Sequence, residues 1–256
     1  MNNILAIAKK ELHYYFGSPI GWVVIGLFTT LFGLFFLPGL SFFLQQSLSV
    51  MSMGAGAPPM NVNQHLIGPS IGNMAVTLLL VLPIVTMRTF SEEKRSGTIE
   101  LLLTSPITDV EIIFGKFIAA MGLYAAMLAA TLIPIVALYA FGTPEWKPLL
   151  TTYLGIFLFG GCFISLGLFI SSRTKNQIIA AMWTFAMFLM LWIINWGASF
   201  MGPMSQAVVN YLALVDHLED FTRGIIDTEH LIYYLSFIAF GLFLTVRSMD
   251  SERWRG

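Results

Sequence analysis

Apolar residues dominate this chain in six long blocks, near 20–44, 66–87, 112–141, 149–170, 178–200 and 231–246. A helix needs about 20 residues to cross the hydrocarbon core of a bilayer. The last block is short, which predicts an earlier start or a locally thinner bilayer. No run of about ten alternating residues appears, so helices are expected and a barrel is not. The predicted fold is an all-α membrane protein of six transmembrane helices, with residues 1–256 forming a single transmembrane domain.

The polar stretches between the blocks carry their own signals. Residues 1–16 wind into a helix with Ile4, Leu5, Ala8, Leu12, Tyr15 and Phe16 on one face. Lys9, Lys10 and His13 fall elsewhere, and Ile7 is out of place. That pattern suits a helix lying in the membrane interface with its lysines at lipid head groups. It is not a signal peptide, because the basic pair follows the first apolar residues and no small-x-small site is present. Gly17-Ser18-Pro19 then turns the chain into the first span. Residues 45–65 read as an irregular external loop rich in Gly, Pro and Asn. Gly122, Ala126 and Ala130 allow close helix approach, either as the bundle's packing seam or as a dimer face. Pro144 is expected at the first position of the fourth span. Thr174 and Gln177 are expected to form a capping box for the fifth. Residues 201–230 combine a short apolar run after Pro203 with the polar cluster Asp216, His217, Glu219, Asp220, Arg223, Asp227, Glu229 and His230. Two half-length helices dipping into the outer leaflet fit that pattern. A metal site at His217, Asp216 and Glu219 is disfavoured, since acids at a helix start cap it without any metal.

One interruption stands out. The stretch 90–116 holds Glu92, Glu93, Lys94, Arg95, Glu100, Asp109, Glu111 and Lys116, eight of the chain's 27 charged residues. Gly97 and Glu100 form an imperfect capping box for a short helix, with Ile99, Leu102 and Leu103 on one side. Pro106 ends that helix, because it lacks an amide proton and restricts Ser105. Thr108-Asp109-Val110-Glu111 is a better capping box and starts the third span. From spacing alone the short helix is either a docking element or an ordinary interfacial hairpin.

Composition and charge narrow the class. The chain is 57% apolar and 11% charged, against about 25% charged for a soluble domain. Eleven of its 13 basic residues fall on one side of a six-span arrangement, all but Lys147 and Arg223. The positive-inside rule then places both termini in the cytoplasm. A net charge of -1 argues against a nucleic-acid partner. Cys162 stands alone, which excludes a disulfide framework.

The run EEKRSGTIELLLTSPITDVEIIFGKF closely resembles the segment between the second and third spans of the type-2 ABC exporter permeases. Weaker resemblance extends over nearly the whole chain, through Lys10-Glu11-Leu12, Ser18-Pro19 and the spacing of the spans. The C-terminal third, HLEDFTRGIIDTEHLIYYLSFIAFGLFLT, looks like the gliding-motility and copper-processing branch. The resemblance implies an N-terminal elbow helix, a re-entrant helix pair before the last span, and a coupling segment over 90–110. In that family the coupling helix docks into an ATPase subunit. The implied interface is Gly97, Thr98, Ile99, Glu100, Leu101, Leu102, Leu103 and Pro106, with Glu92, Glu93 and Arg95 beside them. Arg173 and Lys175 in the second cytoplasmic loop are a minor contact, or else part of a plain tight turn. Implied partners are two ABC ATPase subunits, a second permease copy, membrane lipid and, in one branch, an external protein. The implied location is the inner membrane.

The chain has no G-x-x-x-x-G-K-[ST], so no P-loop is present to hold nucleotide phosphates. ATP and Mg are therefore expected on the partner, with no cofactor and no catalytic residue in this chain. No charged residue is expected in mid-membrane, which disfavours a proton-driven carrier. The function read here is the transmembrane permease subunit of an ABC transporter. The rivals are an ATPase-driven mechanical scaffold acting on an external protein, and a six-span channel.

Overall fold

The computed structural model describes residues 2–52, 61–100, 106–140, 144–198, 202, 209 and 211–253. Among them the chain is helical, with no strand. The elements are α1 Asn2–Gly17, α2 Pro19–Ser52, α3 Gly68–Thr86, α4 Ser91–Ser96, α5 Asp109–Leu138, α6 Trp146–Arg173, α7 Gln177–Ala198, α8 Asp216–Thr222 and α9 Thr228–Arg253. Six of the helical segments are long and apolar enough to cross a membrane. The protein is a multi-pass membrane protein.

α6 is the hub. It packs against α3, α5, α7, α8 and α9, and it is the most buried of the six membrane-length helices. Its glycines make this possible. A Cβ on Gly155 would stand 2.6 Å from the Phe221 side chain, and one on Gly167 would stand 2.4 Å from Thr86 Oγ1. In lipid, where apolar contact alone does not drive helices together, such close approach supplies the packing. α7 is the opposite case: Ile178, Met182, Trp183 and Met190 are exposed along it. That apolar surface suits hydrocarbon.

α1 lies on α5. Its packed face keeps Ala8, Leu12, Tyr15 and Phe16 from the one expected, but gains Ile7 and loses Leu5. Ile7, the residue that looked misplaced, meets α5, where a Cβ on Gly115 would be 2.7 Å from it. Leu12 meets Gly122 in the same way at 2.9 Å. Leu5, assigned to the buried face, is 61% exposed. The glycines of α5 choose the face, because the deeper groove accepts the branched side chain. Gly122 thus serves the α1 contact.

Other boundaries shift for physical reasons. The helix α2 runs eight residues into the stretch read as a loop. Residues 45–52 contain no Gly, Pro or Asn, and the hydroxyls of Ser41, Ser49 and Ser52 donate back to carbonyls three residues earlier. At about 1.5 Å per residue its 34 residues span about 51 Å. The last span is full length, from Thr228, because Glu229, His230 and Arg247 are all helical. α6 begins at Trp146, two residues after Pro144. The carbonyl of Glu145 accepts from Asn63 Nδ2 at 2.8 Å, and its amide donates to Asn63 Oδ1 at 3.2 Å. α7 is capped by Asn176, whose Oδ1 accepts from the Ile178 amide at 2.9 Å. Thr174 instead accepts from Asn176 at 3.1 Å. Most of the run after Pro203 lies outside the described residues.

The bundle has two polar ends. One carries α1, α4, the 171–176 turn and the last turns of α9, with Lys9, Lys10, Arg88, Lys94, Arg95, Lys116, Arg173, Lys175 and Arg247. The other carries α8, Lys147 and Arg223.

Candidate functional site

The segment between α3 and α5 is the most charged part of the chain, and three anchors fix it to the bundle. Ser171, fully buried near the end of α6, is the first. Its Oγ accepts from the amides of Phe90 and Ser91, each at 3.1 Å, and donates to the Met87 carbonyl at 3.2 Å. These are the amides that the start of α4 would otherwise leave without partners. Ser171→Ala is expected to lower stability by about 1–3 kcal/mol, the cost of orphaned buried donors. Thermal unfolding in detergent measures it, and an unchanged midpoint would mean that the hydroxyl is dispensable.

Lys94 is the second anchor. It is 6% exposed, and its ammonium donates to the Ser172 carbonyl. Ser172 Oγ donates in turn to Ser248 Oγ of α9 at 2.8 Å. The third is Lys116, on the second turn of α5 and 2% exposed. It forms salt bridges with Glu11 of α1 at 3.1 Å and with Glu93 of α4 at 2.8 Å. It also lies 5.3 Å from the centre of the Phe90 ring. Burying an ammonium costs several kcal/mol unless it is paired, and two carboxylates offset that here. One buried cation therefore joins α1, α4 and α5.

Outward from these anchors the segment is open. Arg95, Gly97, Thr98, Glu100 and Pro106 are exposed, and Ile99 is half-buried against the core. Gly97 has φ of 74°. That left-handed conformation favours glycine and ends α4 sharply. Gly97 closes α4, in place of opening the next helix as its spacing to Glu100 suggested. Ile99 and Glu100 are helical. Leu101, Leu102 and Leu103 lie outside the described residues. Glu93 faces inward to Lys116, and Glu92 accepts from Tyr14 Oη at 3.4 Å. Arg173 and Lys175 are exposed at the same end, next to the Ser171 anchor.

The segment leaves through the expected capping box. Thr108 Oγ1 accepts from the Glu111 amide at 3.3 Å, and Glu111 Oε2 accepts from the Thr108 amide at 3.1 Å. Asn3 Nδ2 donates to the same carboxylate, at 3.2 Å to Oε1. The acid also sits at the positive end of the α5 dipole.

Sequence reasoning missed Lys94, Lys116 and Ser171 as anchors. A faint signal existed: Glu11 lies between Ala8, Leu12 and Tyr15 on the packed face of α1, where an acid calls for a buried cation.

At the other polar end, His217 Nδ1 lies 2.7 Å from His230 Nδ1, and His230 Nε2 lies 2.8 Å from Asp220 Oδ2. His217 Nε2 faces the Tyr211 carbonyl at 2.9 Å, and its ring stacks on Tyr233. These are in-line hydrogen bonds within a packed cap. Among the described residues no group of three His, Cys, Asp or Glu is placed to hold a metal.

The chain is similar to two Escherichia coli (strain K12) proteins. One, a "Probable multidrug ABC transporter permease YbhS", is 32% identical over 123 residues, covering 48% of this chain and 32% of that protein. The other, a "Probable multidrug ABC transporter permease YbhR", is 31% identical over 109 residues, covering 43% of this chain and 28% of that protein. The match therefore spans about a third of the length of these relatives. A family model described as "ABC-2 family transporter protein" matches residues 5–246. With nearly its whole length matched, the chain belongs to the ABC-2 family of transporter proteins.

Proposed function

We propose that this protein is the transmembrane permease subunit of an ABC transporter, coupling ATP hydrolysis by a separate ATPase subunit to export or extraction of a substrate. The observation that carries this reading is an exposed turn on a rigid base. Arg95, Gly97, Thr98, Glu100 and Pro106 are open to a partner, while Ser171, Lys94 and Lys116 tie the same segment to α1, α5, α6 and α9. A handle held this way passes a push to the spans as a rigid-body tilt.

In this reading two ATPase subunits sit below a pair of permeases, each gripping one 97–105 segment. Leu101, Leu102 and Leu103 supply contact area and Glu100 a pairing charge. Glu92 and Glu93 brace the handle from inside, and Arg173 and Lys175 border it. The basic residues gathered at this end support a cytoplasmic orientation in the inner membrane.

Replacing both Leu102 and Leu103 by Asp is expected to abolish co-purification of the ATPase while membrane insertion stays intact. Undiminished co-purification would remove the coupling assignment. Substrate-dependent stimulation of the ATPase in liposomes is the expected readout of transport. A requirement for an external protein, with no flux, would mark a mechanical transmitter instead.

A further inference from the structure

The polar end contains a cleft of about 270 Å³ between α1 and α4. That is near the lower end, about 300 Å³, of small-molecule sites. Lys10, Tyr14 and Tyr15 line it from α1, Arg88 from the turn after α3, and Glu92 and Glu93 from α4. Lys116 is committed to Glu11 and Glu93. Lys10 and Arg88 form no salt bridge among the described residues. Arg88 Nε and Glu93 Oε2 are both buried without a hydrogen-bond partner. Among the described residues the Glu92 carboxylate accepts from the Tyr14 hydroxyl alone, at 3.4 Å.

We propose that this cleft binds the head group of a membrane phospholipid carrying a primary ammonium, a phosphoethanolamine-type zwitterion. Charge selects the ligand. The lining holds three cations, Lys10, Arg88 and Lys116, and three carboxylates, Glu11, Glu92 and Glu93. The sum is zero, so a bare anion gains no net attraction. A zwitterion matches both parts. Arg88 and Lys10 suit the phosphate, a guanidinium offering paired donors to its oxygens. Glu92 and Glu93 suit an ammonium with three N–H donors. A choline head group has no N–H to offer them, and a glycerol head group has no cation. Position selects a lipid over a free metabolite. Tyr14 and Tyr15 lie seven to eight residues before the exposed Trp22, across the turn between α1 and α2, and the Trp22 indole donates to the Phe16 carbonyl at 3.0 Å. Aromatic residues of this kind mark the membrane–water interface. The cleft borders the segment assigned to the ATPase through Ser96 and Thr98, but the head-group contacts proposed here come from α1, α4 and Arg88, and lipid retention is read without an ATPase present.

Native mass spectrometry of the full chain tests it, with equal amounts of phosphatidylethanolamine, phosphatidylcholine and phosphatidylglycerol added. Phosphatidylethanolamine is expected to be retained at least about tenfold over either of the others, a gap of about 1.4 kcal/mol. Arg88→Gln is expected to abolish retention. Glu92→Gln is expected to remove the preference over phosphatidylcholine while leaving weak binding of both. Should one variant fail to fold, the other carries the comparison. Equal retention of the three lipids overturns the proposal, as does unchanged retention in a folded variant. Displacement of the lipid by millimolar inorganic phosphate overturns it too, because the site would then be a plain anion site.

Discussion

Lys116→Met is expected to loosen the whole polar end, at a cost of about 3–5 kcal/mol, because it leaves two carboxylates facing each other in a buried place. Glu11 and Glu93 are only 15% and 19% exposed at the side chain. With the ammonium gone, they repel, and α1 loses the salt bridge of Glu11 to α5. The expected result is a marked fall in the unfolding temperature in detergent and, under the proposed coupling, lost stimulation of the ATPase subunit. The triple variant Lys116→Met, Glu11→Gln, Glu93→Gln is expected to regain much of the stability, since a neutral replacement of a buried ion cluster often costs little. If the single variant melts with the native protein, the triad contributes nothing and the anchor role fails.

Gly160→Ala is expected to have the second-largest effect. Its Cβ would stand 2.3 Å from Tyr124 Cε1 and 2.6 Å from the Tyr124 hydroxyl. Tyr124 is fully buried, donates to the Ile156 carbonyl at 2.5 Å and stacks on Phe157 with the rings 4° apart. The ring has no exposed surface. Overpacking costs about 1–3 kcal/mol. Displacing the hydroxyl from its acceptor adds about 1–3 kcal/mol more. Gly26→Ala is the control, because a Cβ there meets nothing within 4 Å. Adding Tyr124→Leu to Gly160→Ala is expected to restore part of the loss by making room. Equal melting temperatures for the two alanine variants would show that α6 is not packed as tightly as described.

What was legible in the sequence depended on how local the cause was. Spans follow from runs of apolar residues, and the Thr108 box follows from four adjacent side chains, so both could be read directly. Ile7 could not, because its place was decided by Gly115, more than 100 positions away. Asn176 displaced Thr174 as the cap of α7 because an Asn side chain next to the helix reaches its amides, while Thr174 was drawn into a turn. In the sequence Lys116 is one of eleven basic residues on the same side of the spans. Only the docking of α1 and α4 on α5 turns it into a shared counter-ion. The exposed residues from Arg95 to Glu100 were found because the polar interruption is itself a local signal. The anchors behind them arise from contacts between distant elements.

The triad also has a consequence for biosynthesis. Glu11 and Lys116 are 105 positions apart. At about 5–20 residues per second, α1 is synthesised about 5–20 s before its cation. For that interval the first helix has no protein groove to fill, and Ile7, Leu12 and Glu11 wait at the lipid surface. A nascent chain halted before Lys116 would present α1 unpaired, and protease cleavage within residues 2–17 should stop once translation passes α5.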